Sequence, residues 1–401
     1  MKRALTADRA DGLRESRDLD LMRAVARSAG WSSLLAAIIV IGASHPAAAE
    51  PMFLSKQYPR CTSCHVSPTG GGLLNDFGRS MSHTVLPTIP TSDPASASAL
   101  DGEQAFLFGV LGDSMDPVRL GVGLRPSHLR FDFPGGSTDR NFLMQADLQA
   151  AYQGHGLTVY GDIGRHVDGP DAVVGSYEHW VAYRTANDIT VRAGRFMPAY
   201  GVRVADHTAF NRARLGFDRN DQIYGAEVSH SSRRTLVQVA LGPGRAESIG
   251  DADGTRAFTT SGRVQVDLSA RTVLVASGIF RGESAAAPQS GSAGVAFGLA
   301  PGSRLTLWTQ ADARADAGPG GTNWVVVHET AVEAYRGVWL KVSPQLQTDA
   351  GNGGGDLGRL VLSAVLLPRT HWNVNVSYYR DRNRDFRIST SALLGQLHLF
   401  L

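Results

Sequence analysis

The chain has 401 residues, 39 Lys+Arg against 37 Asp+Glu, and only two cysteines. Charge this evenly balanced gives no ground for a nucleic-acid partner. No hydrolase-type Ser–His–Asp arrangement and no phosphate-binding loop stands out, so neither enzyme class gains support.

The first element is an export signal. Lys2, Arg3, Arg9, Arg14, Arg17, Arg23 and Arg27 precede an apolar run from Trp31 to Ala43, and small residues at Ala47 and Ala49 stand before Glu50. A basic start, a short apolar stretch and an A-x-A site predict a signal peptide over 1–49, cleaved after Ala49. The run is too short to span a bilayer as a helix. Removing these residues takes seven of the basic and five of the acidic side chains, leaving 32 of each.

Next comes C-T-S-C-H, Cys61 to His65, which holds both cysteines. Three chemistries use such a spacing. A redox pair needs a βαβ setting, and structural zinc needs further ligands nearby. Covalent haem attachment uses both thiols for thioethers and the following histidine as an axial iron ligand. In an exported chain, with His65 directly after Cys64, the third reading accounts for all three residues. A Cys61–Cys64 disulfide would leave His65 without a role. The sequel supports a small haem module over 50–100, linker included. Pro68 and Gly70–Gly72 supply a tight turn, and Leu73–Met81 is a predicted helix with Leu73, Leu74 and Phe77 on one face. The expected cofactor is one haem c on Cys61 and Cys64, with iron held by His65. For the sixth ligand the expectation is His83, with Met81 as the alternative; Met52 and the histidines further along stay open.

From about Val118 the chain alternates. Phe142, Met144, Ala146, Leu148, Ala150 and Tyr152 interleave with polar side chains, and Trp372, Val374, Val376 and Tyr378 do the same. Period two predicts strands with one apolar face. No later run is long and apolar enough for a membrane helix. Sixteen such strands can be counted, and the connections decide what they build. Those after even strands are tight, as at Ser269-Ala270 and Tyr335-Arg336-Gly337. Those after odd strands are long and polar, as at Gly242–Thr255 and Thr348–Gly358. Short turns at one end and long loops at the other predict an all-β fold, a transmembrane antiparallel β-barrel of about 16 strands over 101–401.

The longest connection, Arg195–Asn220, follows the fifth strand and is rich in Arg and aromatics. Folded inward, it would bring Arg203, Asp206, His207, Arg212 and Arg214 to a pore constriction; left outside, it is a solvated loop. The final segment Leu393–Leu401 alternates Leu397, Leu399 and Leu401, with Phe400 penultimate. It is similar to the terminal strand that outer-membrane barrels present to their assembly machinery, where a terminal Phe is usual.

An export signal, one C-x-x-C-H module and a sixteen-stranded barrel in one chain resemble the fused cytochrome-porins of the bacterial outer membrane, known from extracellular Fe(II) oxidation. The resemblance is architectural over the mature chain, and at residue level it rests on Cys61, Cys64, His65 and the following Leu74-Asn75. It implies electron transfer between an extracellular donor or acceptor, such as Fe(II), and a periplasmic cytochrome or other carrier, with outer-membrane lipid as the barrel's surroundings. Electrons do not cross ~30 Å of hydrocarbon unaided, and a barrel offers a protein-walled passage for a redox centre. Two other functions stay open: a diffusion porin whose haem module is a plug or sensor, and a haem enzyme of peroxidase type.

Overall fold

The computed structural model describes residues 50–89, 117–166, 174–217, 221–243, 258–283, 288–317, 321–349, 355–385 and 387–400. The expected signal peptide with its cleavage site, the linker over 90–116, the end of the constriction loop at Asn220 and the last residue, Leu401, lie outside them.

Sixteen strands of six residues or more form one closed antiparallel ring. In chain order they are β1 (Val118–Phe133), β2 (Gly136–Gly154), β3 (Leu157–His166), β4 (His179–Arg184), β5 (Ile189–Phe196), β6 (Ile223–Ser231), β7 (Thr235–Pro243) and β8 (Phe258–Ser269). Then follow β9 (Thr272–Arg281), β10 (Ser290–Leu299), β11 (Leu305–Asp316), β12 (Thr322–Tyr335), β13 (Val338–Gln347), β14 (Leu357–Leu366), β15 (Trp372–Asn383) and β16 (Ser389–Phe400). A two-residue strand, Val174–Gly175, adds to the edge of β3. Each strand pairs with its sequence neighbours, and β1 also pairs with β16 from Gly123↔Phe400 to Asp132↔Ser391, which closes the ring. Closure leaves no unpaired edge, the condition for strands to exist in hydrocarbon. The expected all-β barrel is therefore the fold of the described residues.

Side-chain burial is inverted relative to a soluble β-protein. Leu148, Ile163, Val228, Val295 and Leu340 are all more than half exposed on the outside, at 58, 55, 51, 56 and 51 %. Gln238, Gln265, Gln310, Glu227 and Asp312 are buried inside. Polar groups line the lumen because partners and water are available there, whereas the outer face suits hydrocarbon. Exposed aromatics collect at both rims. Tyr183, Tyr335 and Trp372 stand by the short turns, and Phe258, Phe280 and Trp324 by the long loops.

The first hairpin departs from the loop pattern. β1 and β2 run to 16 and 19 residues and are joined by Pro134-Gly135 alone, with Gly135 at φ +98°. Pro126 would break a ladder bond mid-strand, and the β1–β2 register slips between Arg125 and Pro126, so its missing N–H falls at an irregularity.

Candidate functional site

Residues 50–89 lie within the ring, at the end of the short turns. The guanidinium of Arg60 donates to Asp267 Oδ2 at 2.7 Å, to Ser231 Oγ at 2.7 Å and to the Ser232 carbonyl at 2.8 Å. Lys56 pairs with Glu333, and Lys341 with Glu50 at 2.7 Å. The amides of Thr88 and Ile89 donate to Leu367 and Pro368 beside the β14–β15 turn. A polar wall needs polar partners when it is covered, and the segment's charges supply several of them.

Within the segment, a 3₁₀ turn over Cys61–Ser63 is followed by the Cys64 and His65 amides both donating to the Cys61 carbonyl, at 3.2 and 2.9 Å. His65 then pairs with Leu74, flanked by Val66 N–H to Leu73 O at 3.0 Å and Asn75 N–H to Cys64 O at 2.9 Å. This small ladder encloses residues 67–72. Gly70, Gly71 and Gly72 are all left-handed, at φ +78°, +76° and +62°. A Cβ at Gly70 would stand 2.9 Å from Cys61 Sγ, and one at Gly72 2.5 Å from the Tyr160 hydroxyl. Only glycine meets both demands.

The helix α1 (Asp76–Thr84) begins three residues later than the predicted Leu73 start. Asn75 explains the shift. Its side chain accepts from Gly78 N–H at 2.9 Å, capping the helix, and donates to the Thr62 and Ser63 carbonyls at 3.2 Å each. Asn75 thereby fixes α1 against the C-x-x-C turn. Leu73 is buried with Val66, Tyr160 and Trp180. Phe77 turns from the expected face to meet Tyr58, ring centres 5.1 Å apart and planes tilted at 60°.

The two faces of α1 have different tasks. Gly78 sits against the Cys64 carbonyl, where a Cβ would come within 2.2 Å, and Gly78, Met81 and Ser82 line a cavity together with Cys61, Cys64 and His65. Asp76, Arg79 and His83 face the barrel instead. Asp76 pairs with Arg119 at 2.8 Å, and His83 Nδ1 lies 2.9 Å from Thr370 Oγ1. Helical spacing groups 78 with 81 and 82, and 76 with 79 and 83. The expected ligand His83 is thus not brought to the cavity, while its alternative Met81 is. Met52 and His207 line it as well; His128 does not.

The cavity measures about 780 Å³, within the ~300–1,000 Å³ of cofactor pockets. The motif residues fit the group that the sequence implies. Cys61 and Cys64 are both free thiols. Burial pushes the Cys64 thiol up to about 11 and raises Cys61 too. His65 Nδ1 is buried with no hydrogen-bond partner among the described residues. Burial, then the nearby Arg203 charge, lowers this imidazole to about 4, so it is neutral, the form that binds a metal. Among the described residues no three His, Cys, Asp or Glu side chains are gathered for a metal ion.

The long loop after β5 does fold into the lumen. Tyr200 donates to Asp312 at 2.8 Å, Gly201 N–H to Ser277 Oγ at 3.0 Å, and Phe210 N–H to Gln345 Oε1 at 2.8 Å. Its short helix α2 (Phe210–Ala213) packs Phe210 with Leu215, Phe217, Val325 and Val327. Arg203, Asp206, His207 and Arg212 line the cavity and Arg214 does not. Arg212 is committed to the loop itself, donating to the Val204 and Phe217 carbonyls at 2.8 and 3.0 Å. Asp206 accepts from Thr208 and from the Tyr379 hydroxyl. Sequence reading missed Arg60, and it named Asn75 only as part of the resemblance, without its hydrogen bonds to Gly78 and to the Thr62 and Ser63 carbonyls.

No family model and no curated protein matches the sequence. Solved structures do. An anion-selective porin from Comamonas acidovorans superposes with a TM-score of 0.53 at 11 % identity over 71 % of this chain and 99 % of its own. The outer-membrane channel DcaP of Acinetobacter baumannii gives 0.53 at 11 % over 70 % and 97 %. Pseudomonas putida OprB gives 0.57 at 8 % over 79 % and 99 %. At these identities the likeness is one of fold: this chain is a closed sixteen-stranded antiparallel barrel of the outer-membrane porin kind.

Proposed function

We propose that this protein is an exported outer-membrane barrel carrying one covalently attached c-type haem in its lumen, and that it passes single electrons between an extracellular donor or acceptor and a periplasmic carrier. The observation that carries the reading is that Cys61, Cys64, His65 and Met81 line one lumen cavity of about 780 Å³. Cys61 and Cys64 would form the thioethers, and His65 would bind iron through its neutral imidazole. Met81, on the cavity side, would offer its thioether as a further iron ligand. When bound, the haem supplies a one-electron Fe(III)/Fe(II) couple. The chain's own residues do the rest. The glycine turn and Asn75 hold the motif, and Arg60, Lys56 and Glu50 anchor it to the wall. The barrel keeps the site from lipid.

Purified protein should keep a haem stain through denaturing electrophoresis, and Cys61→Ala with Cys64→Ala should remove it. Rapid mixing of the oxidised protein with Fe(II) should then give the reduced spectrum. Native protein without haem would end the electron-transfer reading.

A second reading has support of its own. The fold is similar to that of solved diffusion porins and channels, and a sizeable cavity persists beside residues 50–89. In that reading the segment is a plug. Conductance of the native protein in a planar bilayer separates the two, because a diffusion porin passes ions steadily and a lumen filled by a haem module does not.

A further inference from the structure

The constriction loop and the C-x-x-C-H segment meet at one side chain. Arg203 Nη1 donates to the Gly70 carbonyl at 2.6 Å, lies 3.4 Å from the Thr69 carbonyl and 3.5 Å from Glu178 Oε1. A Cβ on Gly71 would stand 3.2 Å from this guanidinium, so its plane lies directly on the glycine turn. Beneath that turn lies Cys61, against Gly70, and the turn is closed off by the His65–Leu74 pairing with Val66 N–H donating to the Leu73 carbonyl. Arg203 is largely buried, its side chain 25 % exposed, and Glu178 more so, at 9 %.

We propose that Arg203 is a positioning residue that clamps the glycine turn and, by its charge, holds the potential of the haem site above the value it would have without that charge. The proposal rests on the haem reading. A fixed positive charge near the iron disfavours the ferric form, which carries one more positive charge than the ferrous, so it raises the reduction potential. The effect is strong here because the guanidinium and the motif share a partly dehydrated lumen. Three other charges face the motif: Arg263 from β8 acts with Arg203 at Cys61, while Glu50 acts against it and Glu178 contacts Arg203 directly. Arg263 is itself tied to the loop, donating to the Gly201 carbonyl at 2.8 Å. The inward loop therefore brings one cation to the motif and fixes a second.

The sign of the shift tests this, using full-length protein in detergent and a spectroscopic redox titration. Arg203→Gln should lower the midpoint potential, and Arg203→Lys should stay near the native value. Glu178→Gln removes a neighbouring negative charge and should raise it. A role confined to packing would move Gln and Lys variants at 203 together and would not give Glu178→Gln the opposite sign; either result overturns the proposal. If Arg203→Gln fails to fold, the Glu178→Gln shift alone decides. Haem content, measured as the pyridine complex, keeps the two levels apart. Protein with haem but no shift removes the Arg203 role only, and protein without haem removes the haem reading and the Arg203 role with it.

Discussion

Arg60 and Asp267, 207 residues apart in sequence, meet at 2.7 Å as an ion pair whose carboxylate is wholly buried. The pair joins the residue before Cys61 to the barrel wall, so it anchors the motif at its root. Removing one partner of a buried pair leaves the other charge uncompensated and costs about 3–5 kcal/mol. Arg60→Ala should therefore loosen residues 50–89 and raise ion conductance in planar bilayers. Arg60→Met with Asp267→Leu, which leaves no lone charge, should recover most of the closure.

The sixth ligand of the proposed haem can be read optically. Met81→Ala should convert a low-spin ferric haem to high spin, remove any sulfur-to-iron band and, after reduction, let the ferrous haem bind carbon monoxide. His83→Ala should leave the spectrum unchanged, because His83 is turned to Thr370. A spectrum altered by His83→Ala alone would restore the ligand expected from sequence.

Gly72 tolerates no side chain. At φ +62°, alanine costs about 1–2 kcal/mol in backbone strain, and its Cβ would stand 2.5 Å from the Tyr160 hydroxyl. Gly72→Ala should lower the yield of covalently attached haem, measured per barrel by stain intensity. Tyr160→Phe in that background should recover part of the yield, since it removes the clash and leaves the strain.

A charge on the outer face tests the lipid assignment. Val295 is 56 % exposed near the middle of β10. Val295→Arg should destabilise the barrel in vesicles by ~2–4 kcal/mol, read from the urea midpoint of unfolding. Unchanged stability there would mean that the face does not meet hydrocarbon.

Orientation is testable at two glycines with open space around them, Gly135 in the β1–β2 hairpin and Gly302 before β11. An epitope at Gly135 should bind antibody on intact cells, and one at Gly302 only after the outer membrane is opened. The reverse pattern would turn the barrel over.

Strand number and the alternation of loop lengths were legible in the sequence because both are local. An alternating run such as Phe142–Tyr152 needs no knowledge of the rest of the chain. The start of α1 was misjudged because Leu73 and Leu74 continue an apolar pattern, while the boundary is set by Asn75 hydrogen bonding to Gly78 and to the turn at Thr62 and Ser63. Which of Met81 and His83 faces the cavity was not legible at all. Both lie near the end of the same helix, and only the register of α1 against the wall at Arg119 and Thr370 assigns their directions. The Arg60–Asp267 pair was hidden for the same reason, since nothing local marks which of many carboxylates an arginine will meet.

The two aromatic rims also specify a thickness. On β12, Trp324 and Tyr335 both face outward, at 52 and 61 % exposure, the second because the β12–β13 register slips between Glu333 and Tyr335. Eleven residues apart, they are separated by about 37 Å along the strand and ~26 Å along the membrane normal at a tilt of about 45°. That height matches a bilayer thinner than average, such as the bacterial outer membrane, and falls short of ~30 Å hydrocarbon. In a thicker bilayer the rims would be drawn into the acyl chains, and the lipid would have to thin around them. Strand length thus acts as an address of its own, favouring one membrane over another by thickness alone.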